Sequence, residues 1–97
     1  MTYKVTALIN STAHSNVEIR LLEQDKNPIV LAFYTAAEAE SLGGTDVLID
    51  AFALAVQIQK GECSLANAKP MEQYAYKIVA DKLGVLETNG QLAATYA

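Results

Sequence analysis

Four carboxylates in a stretch without cations are the residues whose type and spacing best fit a binding site. Between Lys26 and Lys60 the sequence runs 33 residues without a lysine or an arginine. The chain has 11 acidic and 7 basic residues, so the four acids of this stretch account for its whole net charge of −4. Carboxylates without interleaved cations can bind a basic surface, and such binding is steered over long range and weakened by salt. The candidate partner-binding residues are Glu38, Glu40, Asp46 and Asp50.

Two of these four acids also have structural explanations. Thr35-Ala36-Ala37-Glu38 fits a capping box, in which the glutamate bonds back to the first residue of the motif. Asp46 falls in a predicted first helical turn, where it complements the macrodipole by about 0.3–1 kcal/mol. Glu40 and Asp50 have no such role, and Asp50 follows Asp46 by one turn, about 6 Å along the axis. The hypothesis therefore depends mainly on Glu40 and Asp50, and ordinary solvated caps and faces remain the alternative.

No catalytic signature accompanies the remaining reactive residues. His14 is the only histidine and Cys63 the only cysteine, so neither a disulfide within the chain nor a multi-cysteine zinc site can form. No nucleophile motif surrounds them. The Gly43-Gly44 pair lacks the context of a phosphate-binding loop. We expect a protein that is not an enzyme and that uses no cofactor and no metal.

The first third of the chain has strand chemistry. Apolar residues recur at every second position over residues 3–9 and again over residues 17–21, which is the period of a half-buried strand. All the residues between them are polar except Leu8. Residues 25–28 form a predicted turn, because Asp and Asn bond their own backbone and Pro28 fixes φ. Residues 29–34 form a third strand that is apolar on both faces. The short connections favour an antiparallel meander.

The sequence then changes to helix chemistry. A short helix over residues 35–44 ends at Gly43-Gly44, and Thr45 is the predicted N-cap of a second helix from Asp46 to Lys60. The second helix is apolar around most of its circumference, so it must be covered on more than one side. Gly61 is the predicted stop of this helix, and one helical turn can follow Ser64. Pro70 and Gly84 suit the first position and the cap of a third helix.

Two further features suggest partners of other kinds. The outward face of the sheet would include Leu22, Val30, Ala32 and Tyr34 if Ile29, Leu31 and Phe33 point inward. Such an apolar face predicts a homodimer or an interface, unless a C-terminal strand covers it. The helix after Pro70, followed by an Asn89-Gly90 hairpin, is loosely similar to the helix and wing of a winged-helix domain. A small regulatory DNA-binding or dimerising module is therefore the alternative function.

In length, acidity and small α+β build, the chain resembles anti-CRISPR proteins encoded by phages and prophages. Within that group it is most similar to type I-F inhibitors that act as DNA mimics, and the likeness depends on Glu38, Glu40, Asp46 and Asp50. The resemblance implies binding to the basic, DNA-contacting groove of a CRISPR–Cas ribonucleoprotein complex, which blocks target DNA without catalysis. It implies no direct nucleic-acid binding. A net charge of −4 is modest for such a mimic, so mimicry would be confined to one face.

We therefore predict one α+β domain over residues 1–97. It has an antiparallel sheet of three to four strands packed against two to three α-helices. The hydrophobic fraction of 52% and the charged fraction of 19% are those of a globular protein. No signal peptide or apolar span is present in the sequence, so the expected location is the cytoplasm of a host bacterial cell, with no membrane partner.

Overall fold

The computed structural model describes residues 3–10 and 16–84, and these residues form an α+β fold as predicted. Three antiparallel strands are followed by three α-helices within the described residues, with a 3₁₀ turn (Leu65–Asn67) before the last helix. The elements are β1 (Tyr3–Asn10), β2 (Asn16–Glu23), β3 (Ile29–Thr35), α1 (Ala36–Ser41), α2 (Thr45–Gln59) and α3 (Pro70–Leu83). His14 and the predicted Asn89-Gly90 hairpin lie outside the described residues.

The chain divides into two compact units, residues 1–50 and residues 51–97. The first unit contains the sheet, α1 and the beginning of α2. The second contains the rest of α2, the 3₁₀ turn and α3. The boundary falls inside helix α2, between Asp50 and Ala51.

The sheet has the order β1-β2-β3, and its central strand shows the predicted alternation. Val17, Ile19 and Leu21 are buried on what we call the inner face. Glu18 and Arg20 project from the opposite side, which we call the outer sheet face. The pairing of β1 with β2 is regular over its whole length, from Tyr3 opposite Glu23 to Asn10 opposite Asn16. The turn before β3 begins two residues earlier than predicted, since the N–H of Lys26 donates to the carbonyl of Glu23 (3.2 Å) and Asp25 has a φ of 62°.

A β-bulge in β3 changes which of its residues face inward, and here the prediction is wrong. Ile19 pairs with Ala32 and Arg20 pairs with Val30, so the residue between them, Leu31, has no partner on β2. One extra residue reverses the alternation beyond it. Tyr34 is consequently buried opposite Val17, and Phe33 is exposed opposite Glu18, the reverse of the predicted orientation.

Helix α1 is defined at both ends by the predicted residues. The amide N–H of Glu38 donates to Thr35 Oγ1 (3.1 Å), and the N–H of Thr35 donates to Glu38 Oε1 (2.9 Å), which confirms the capping box. At the other end, the N–H of Gly44 bonds the carbonyl of Ala39 (2.9 Å) and that of Gly43 bonds the carbonyl of Glu40 (3.1 Å). This pair of bonds is a Schellman motif. It fixes the direction in which the chain leaves α1.

Helix α2 begins one residue earlier than predicted. The carbonyl of Gly44 accepts the amide of Leu48 (3.1 Å), so Gly44 is the cap and Thr45 is already helical. The buried side chains occupy about half of its circumference, and Asp46 and Asp50 lie on the exposed side. The buried members of α2 are Leu48, Ala51, Phe52, Ala55, Val56 and Ile58.

In the second unit, the predicted residues stand at the end of α2, at the 3₁₀ turn and at both ends of α3. Gly61 follows the end of α2 at a φ of 83°, and Ser64 caps the 3₁₀ turn through the amide of Ala66 (3.1 Å). Pro70 opens α3, and the N–H of Gly84 bonds the carbonyl of Ala80 (2.8 Å). The side chain of Gln59 joins the ends of α2 and α3, since its Nε2 donates to the Gly84 carbonyl (3.2 Å).

Candidate partner-binding site

All four predicted acids lie in the first unit and are exposed to solvent. Glu38 and Glu40 project from α1, and Asp46 and Asp50 project from the first turns of α2. Only the tight Leu42-Gly43-Gly44 connection separates the two helices. We call residues 36–50, which carry these four carboxylates, the acidic segment.

Within the acidic segment, Glu38 has a structural task. One of its carboxylate oxygens accepts the Thr35 amide (2.9 Å), and this bond holds the side chain back over the first turn of α1. Replacing Glu38 would therefore alter the helix start as well as the surface charge. It is a poor probe of partner binding.

Glu40 lies at the edge of an apolar recess. A cavity of about 200 Å³ opens between the end of the β1–β2 pair, α1 and the start of α2. Ile9, although it points to the inner side of β1, is 60% exposed there. A carboxylate beside an apolar recess suits a lysine or arginine, whose methylene stem packs on apolar surface while its charged end stays near the carboxylate. The lining residues are Ile9, Val17, Ala36, Ala39, Glu40, Gly44 and Thr45.

Asp46 and Asp50 share one exposed face of α2, one turn apart, with a rise of about 6 Å between them. Asp46 stands in the first turn, where the helix dipole favours a negative charge, as predicted. No described residue forms an ion pair or side-chain hydrogen bond with Glu40, Asp46 or Asp50. Within the described part of the chain, nothing therefore prevents these three carboxylates from pairing with cations of another molecule.

The excess negative charge is confined to the first unit. Residues 1–50 contain seven acids and three bases, which gives the unit the full net charge of −4. Residues 51–97 contain four acids and four bases and are neutral. Two of the three cations of the first unit are paired with nearby acids, Arg20 with Glu18 (3.1 Å) and Lys26 with Glu23 (3.4 Å). The acidic segment is thus the part of the unit with uncompensated charge.

The remaining reactive groups have packing roles in the described structure. The thiol of Cys63 is half-buried and donates to Gln57 Oε1 (3.4 Å), which ties the loop after α2 to that helix. Tyr76 is buried in the second unit, and burial raises the pKa of its phenol above the ordinary value. Among residues 3–10 and 16–84, no group of three or more histidine, cysteine or acidic side chains could hold a metal ion.

The sequence predicts an apolar outer sheet face and places Val30 on it correctly, but it assigns the wrong side to three other residues of β3. Leu8 and Phe33 are exposed there, whereas Ala32 and Tyr34, which were expected on that face, point inward. A bulge leaves no simple pattern in the sequence, so only cross-strand pairing could have revealed it.

No protein-family model matches the chain, and comparison with curated proteins and with solved structures finds no match either. Within the described part of the chain, no helix has both the length and the apolar content needed to cross a membrane. A functional assignment must therefore come from the chemistry of the surfaces.

Proposed function

We propose that this protein is a non-enzymatic inhibitor that binds the DNA-contacting basic surface of a crRNA-guided, type I-F surveillance complex and blocks target DNA. The observation that carries the proposal is the uncompensated charge of the acidic segment, where Glu40, Asp46 and Asp50 are exposed and no described cation pairs with them. A groove that binds DNA presents lysine and arginine to phosphates at regular spacing. Carboxylates one helical turn apart can pair with the same cations.

The neutral second unit makes the mimicry local. Long-range steering depends on the charge that a surface presents, so the acidic segment would orient the encounter while residues 51–97 contribute no net attraction. The recess beside Glu40 adds a place for the aliphatic stem of a cationic side chain. Inhibition should weaken as salt rises, because exposed charges are screened beyond about 8 Å at physiological ionic strength.

A charge-reversal pair with a matched control tests the proposal. The variant Glu40→Lys/Asp50→Lys removes the net charge of the protein by reversing two acids of the segment. Glu62→Lys/Asp81→Lys makes the same change of charge at exposed positions of the second unit. We expect the first variant to raise the concentration needed to block target-DNA binding by at least about tenfold, which corresponds to about 1.4 kcal/mol.

The control variant should retain most of the potency, provided that circular dichroism shows both proteins folded. Equal losses would mean that total charge acts rather than the acidic segment. If potency is unchanged in the Glu40→Lys/Asp50→Lys variant, the segment is not the contact surface. If the native protein fails to inhibit the purified complex at all, the proposal as a whole is wrong.

The alternative module would bind DNA through α3 and the hairpin after it. Helix α3 carries exposed lysines at positions 77 and 82, but the unit that contains it has no net positive charge. A gel shift with generic duplex DNA at low salt separates the two hypotheses. The inhibitor should leave the DNA unretarded because like charges repel, whereas retardation by the protein alone would favour the DNA-binding module.

A further inference from the structure

The outer sheet face exposes apolar side chains where a solvated sheet would carry polar ones. Phe33 is 57% exposed, Leu8 44% and Val30 39%. All three project from the side of the sheet opposite the buried residues of β2, as their pairing shows. A group of large apolar side chains on one face indicates an interaction surface rather than scattered exposure.

Strand pairing arranges this face in two neighbouring rows. Leu8, Glu18 and Phe33 lie side by side across the three strands. Thr6, Arg20 and Val30 form the next row. The bulge at Leu31 is what brings both Val30 and Phe33 to this side. Each row therefore has one charged residue on the central strand and at least one apolar residue on an edge strand.

The two central charges have opposite sign and are already in contact. Two guanidinium nitrogens of Arg20 donate to Glu18 Oε1 (3.1 and 3.4 Å), and the side chains of Arg20 and Glu18 are only 30% and 18% exposed. The pair places a positive and a negative group next to each other along β2. When a second copy is rotated by 180°, its negative group faces the positive group of the first copy, so the pattern is complementary to itself.

We propose that a second copy of this chain docks on the outer sheet face and forms a two-fold symmetric dimer. The two-fold axis lies in the plane of the interface, perpendicular to β2, and passes midway between Glu18 and Arg20. A rotation of 180° about this axis places each row of one copy over the other row of the second copy. Each Arg20 then lies opposite Glu18 of the second copy, and each Phe33 lies over the second copy's Val30. Two sheets packed face to face in this way lie about 10 Å apart with nearly aligned strands, and the contact is isologous.

The size of the face sets the strength of the dimer. Three strands about 4.8 Å apart and seven to eight residues long cover a footprint of roughly 300 Å². A stable interface buries about 800 Å² on each partner. The dimer should therefore be weak, of the class of transient contacts that bury less than about 1,200 Å² in total. This inference is independent of the proposed inhibitory function, because it uses none of the acidic segment.

Sedimentation velocity on the full chain from about 1 µM to 1 mM tests the inference directly. We expect the native mass to rise from that of a monomer toward that of a dimer, and Phe33→Lys to abolish the rise. Val47→Lys is the matched control, since Val47 is 43% exposed in the same unit but lies on α2. The control should dimerise like the native protein. A native chain that is monomeric at 1 mM would overturn the inference.

A complementary pair of charge variants tests the two-fold arrangement. Glu18→Arg gives each copy two positive groups at the centre of the face, and Arg20→Glu gives each copy two negative groups. Either variant alone should stay monomeric at concentrations at which the native protein dimerises. An equimolar mixture should form a dimer containing one copy of each. If both variants dimerise alone, the charge pair does not lie in the interface and the arrangement is wrong.

Covering of the face by another part of the same chain is a distinguishable outcome. In that case Phe33→Lys would lower the midpoint of urea unfolding at 1 µM, where the native protein is a monomer. Docking of a second copy instead leaves that midpoint unchanged at 1 µM and raises it for the native protein alone at high concentration. A midpoint of urea unfolding that is lower for Phe33→Lys than for the native protein at 1 µM would overturn the dimer.

Discussion

Single residues of the acidic segment differ in what their carboxylates do. Glu38 accepts a backbone hydrogen bond at the start of α1, whereas Glu40, two residues later, projects beside the recess. The first acid belongs to the fold and the second is available to a partner. Stability and inhibition should therefore respond to different substitutions within three residues of chain.

Removing the N-cap hydroxyl of Thr35 should separate the structural role of Glu38 from the exposed position of Glu40. Thr35→Ala deletes the hydroxyl that accepts the Glu38 amide (3.1 Å), and the free energy of unfolding should fall by about 1 kcal/mol. Glu40→Gln should change it by less than about 0.5 kcal/mol, as is usual for exposed substitutions. Urea denaturation at pH 7 measures both. A loss for Glu40→Gln as large as that for Thr35→Ala would show that Glu40 also has a structural role.

Burial of Tyr76 should make stability depend on alkaline pH. Burial raises the pKa of its phenol in the folded protein above the unfolded value of 10.0, so the folded chain keeps a proton that the unfolded chain releases. The stability that depends on the protonated Tyr76 phenol is fully present below pH 10 and is lost as the pH rises from 10 through the folded pKa. Tyr76→Phe should reduce the fall in unfolding free energy above pH 10 by up to about 1.4 kcal/mol per pH unit. Identical slopes for the two proteins would contradict this.

At the scale of elements, the α1–α2 junction depends on two glycines with different surroundings. Gly43 and Gly44 both have positive φ, at 111° and 104°. A Cβ on Gly43 would lie 3.2 Å from Val47 Cγ1, whereas a Cβ on Gly44 would meet nothing within 4 Å. Both alanine variants should lose about 1 kcal/mol or more through backbone strain. Gly43→Ala should lose more.

The difference between these two variants measures the contact with Val47. Combining each with Val47→Ala should bring their free energies of unfolding together, because the crowded methyl groups are then absent. Equal losses in the presence of Val47 would show that the helix shifts to accept the new methyl group without cost.

The bulge in β3 allows a deletion that an ordinary strand would not tolerate. Deleting Ala32 would let Leu31 pair with Ile19, while Val30 and Phe33 stay outward and Tyr34 stays inward. We expect this variant to remain folded. Deleting Thr6 from the regularly paired β1 should disrupt the sheet, because every residue on one side of the deletion changes face. Far-UV circular dichroism and urea unfolding compare the two, and an unfolded Ala32 deletion beside a folded Thr6 deletion would contradict the assignment.

At the scale of the whole molecule, the two units share one helix. The boundary between Asp50 and Ala51 lies inside α2, so unfolding of either unit would break a continuous run of helical hydrogen bonds. We expect a single cooperative transition, in which amide signals of β2 and α3 disappear at the same urea concentration. Two separate midpoints would show that the units unfold independently.

Local chemistry explains why most element boundaries could be predicted. Thr35 with Glu38, Gly61, Ser64, Pro70 and Gly84 each act through neighbours in sequence, and each stands where the pattern places it. The orientation of Phe33 and Tyr34 could not be predicted in the same way, because it depends on pairing with β2. Exposure of the acidic segment is the ordinary expectation for carboxylates. The ion pairs of Arg20 and Lys26 are also local, because their partners Glu18 and Glu23 lie two and three residues away in sequence.

The bulge also bears on how such a surface could arise and disappear. A strand presents one set of side chains to the core and another to solvent, and a single added residue exchanges the two sets beyond it. Here Phe33 is outward and Tyr34 inward because β3 carries one residue more than the strand beside it. Gain of one further codon beyond the bulge would therefore exchange an aromatic contact surface for a different one in a single evolutionary step, with the reading frame intact. Loss of the extra residue at the bulge would instead leave Phe33 outward.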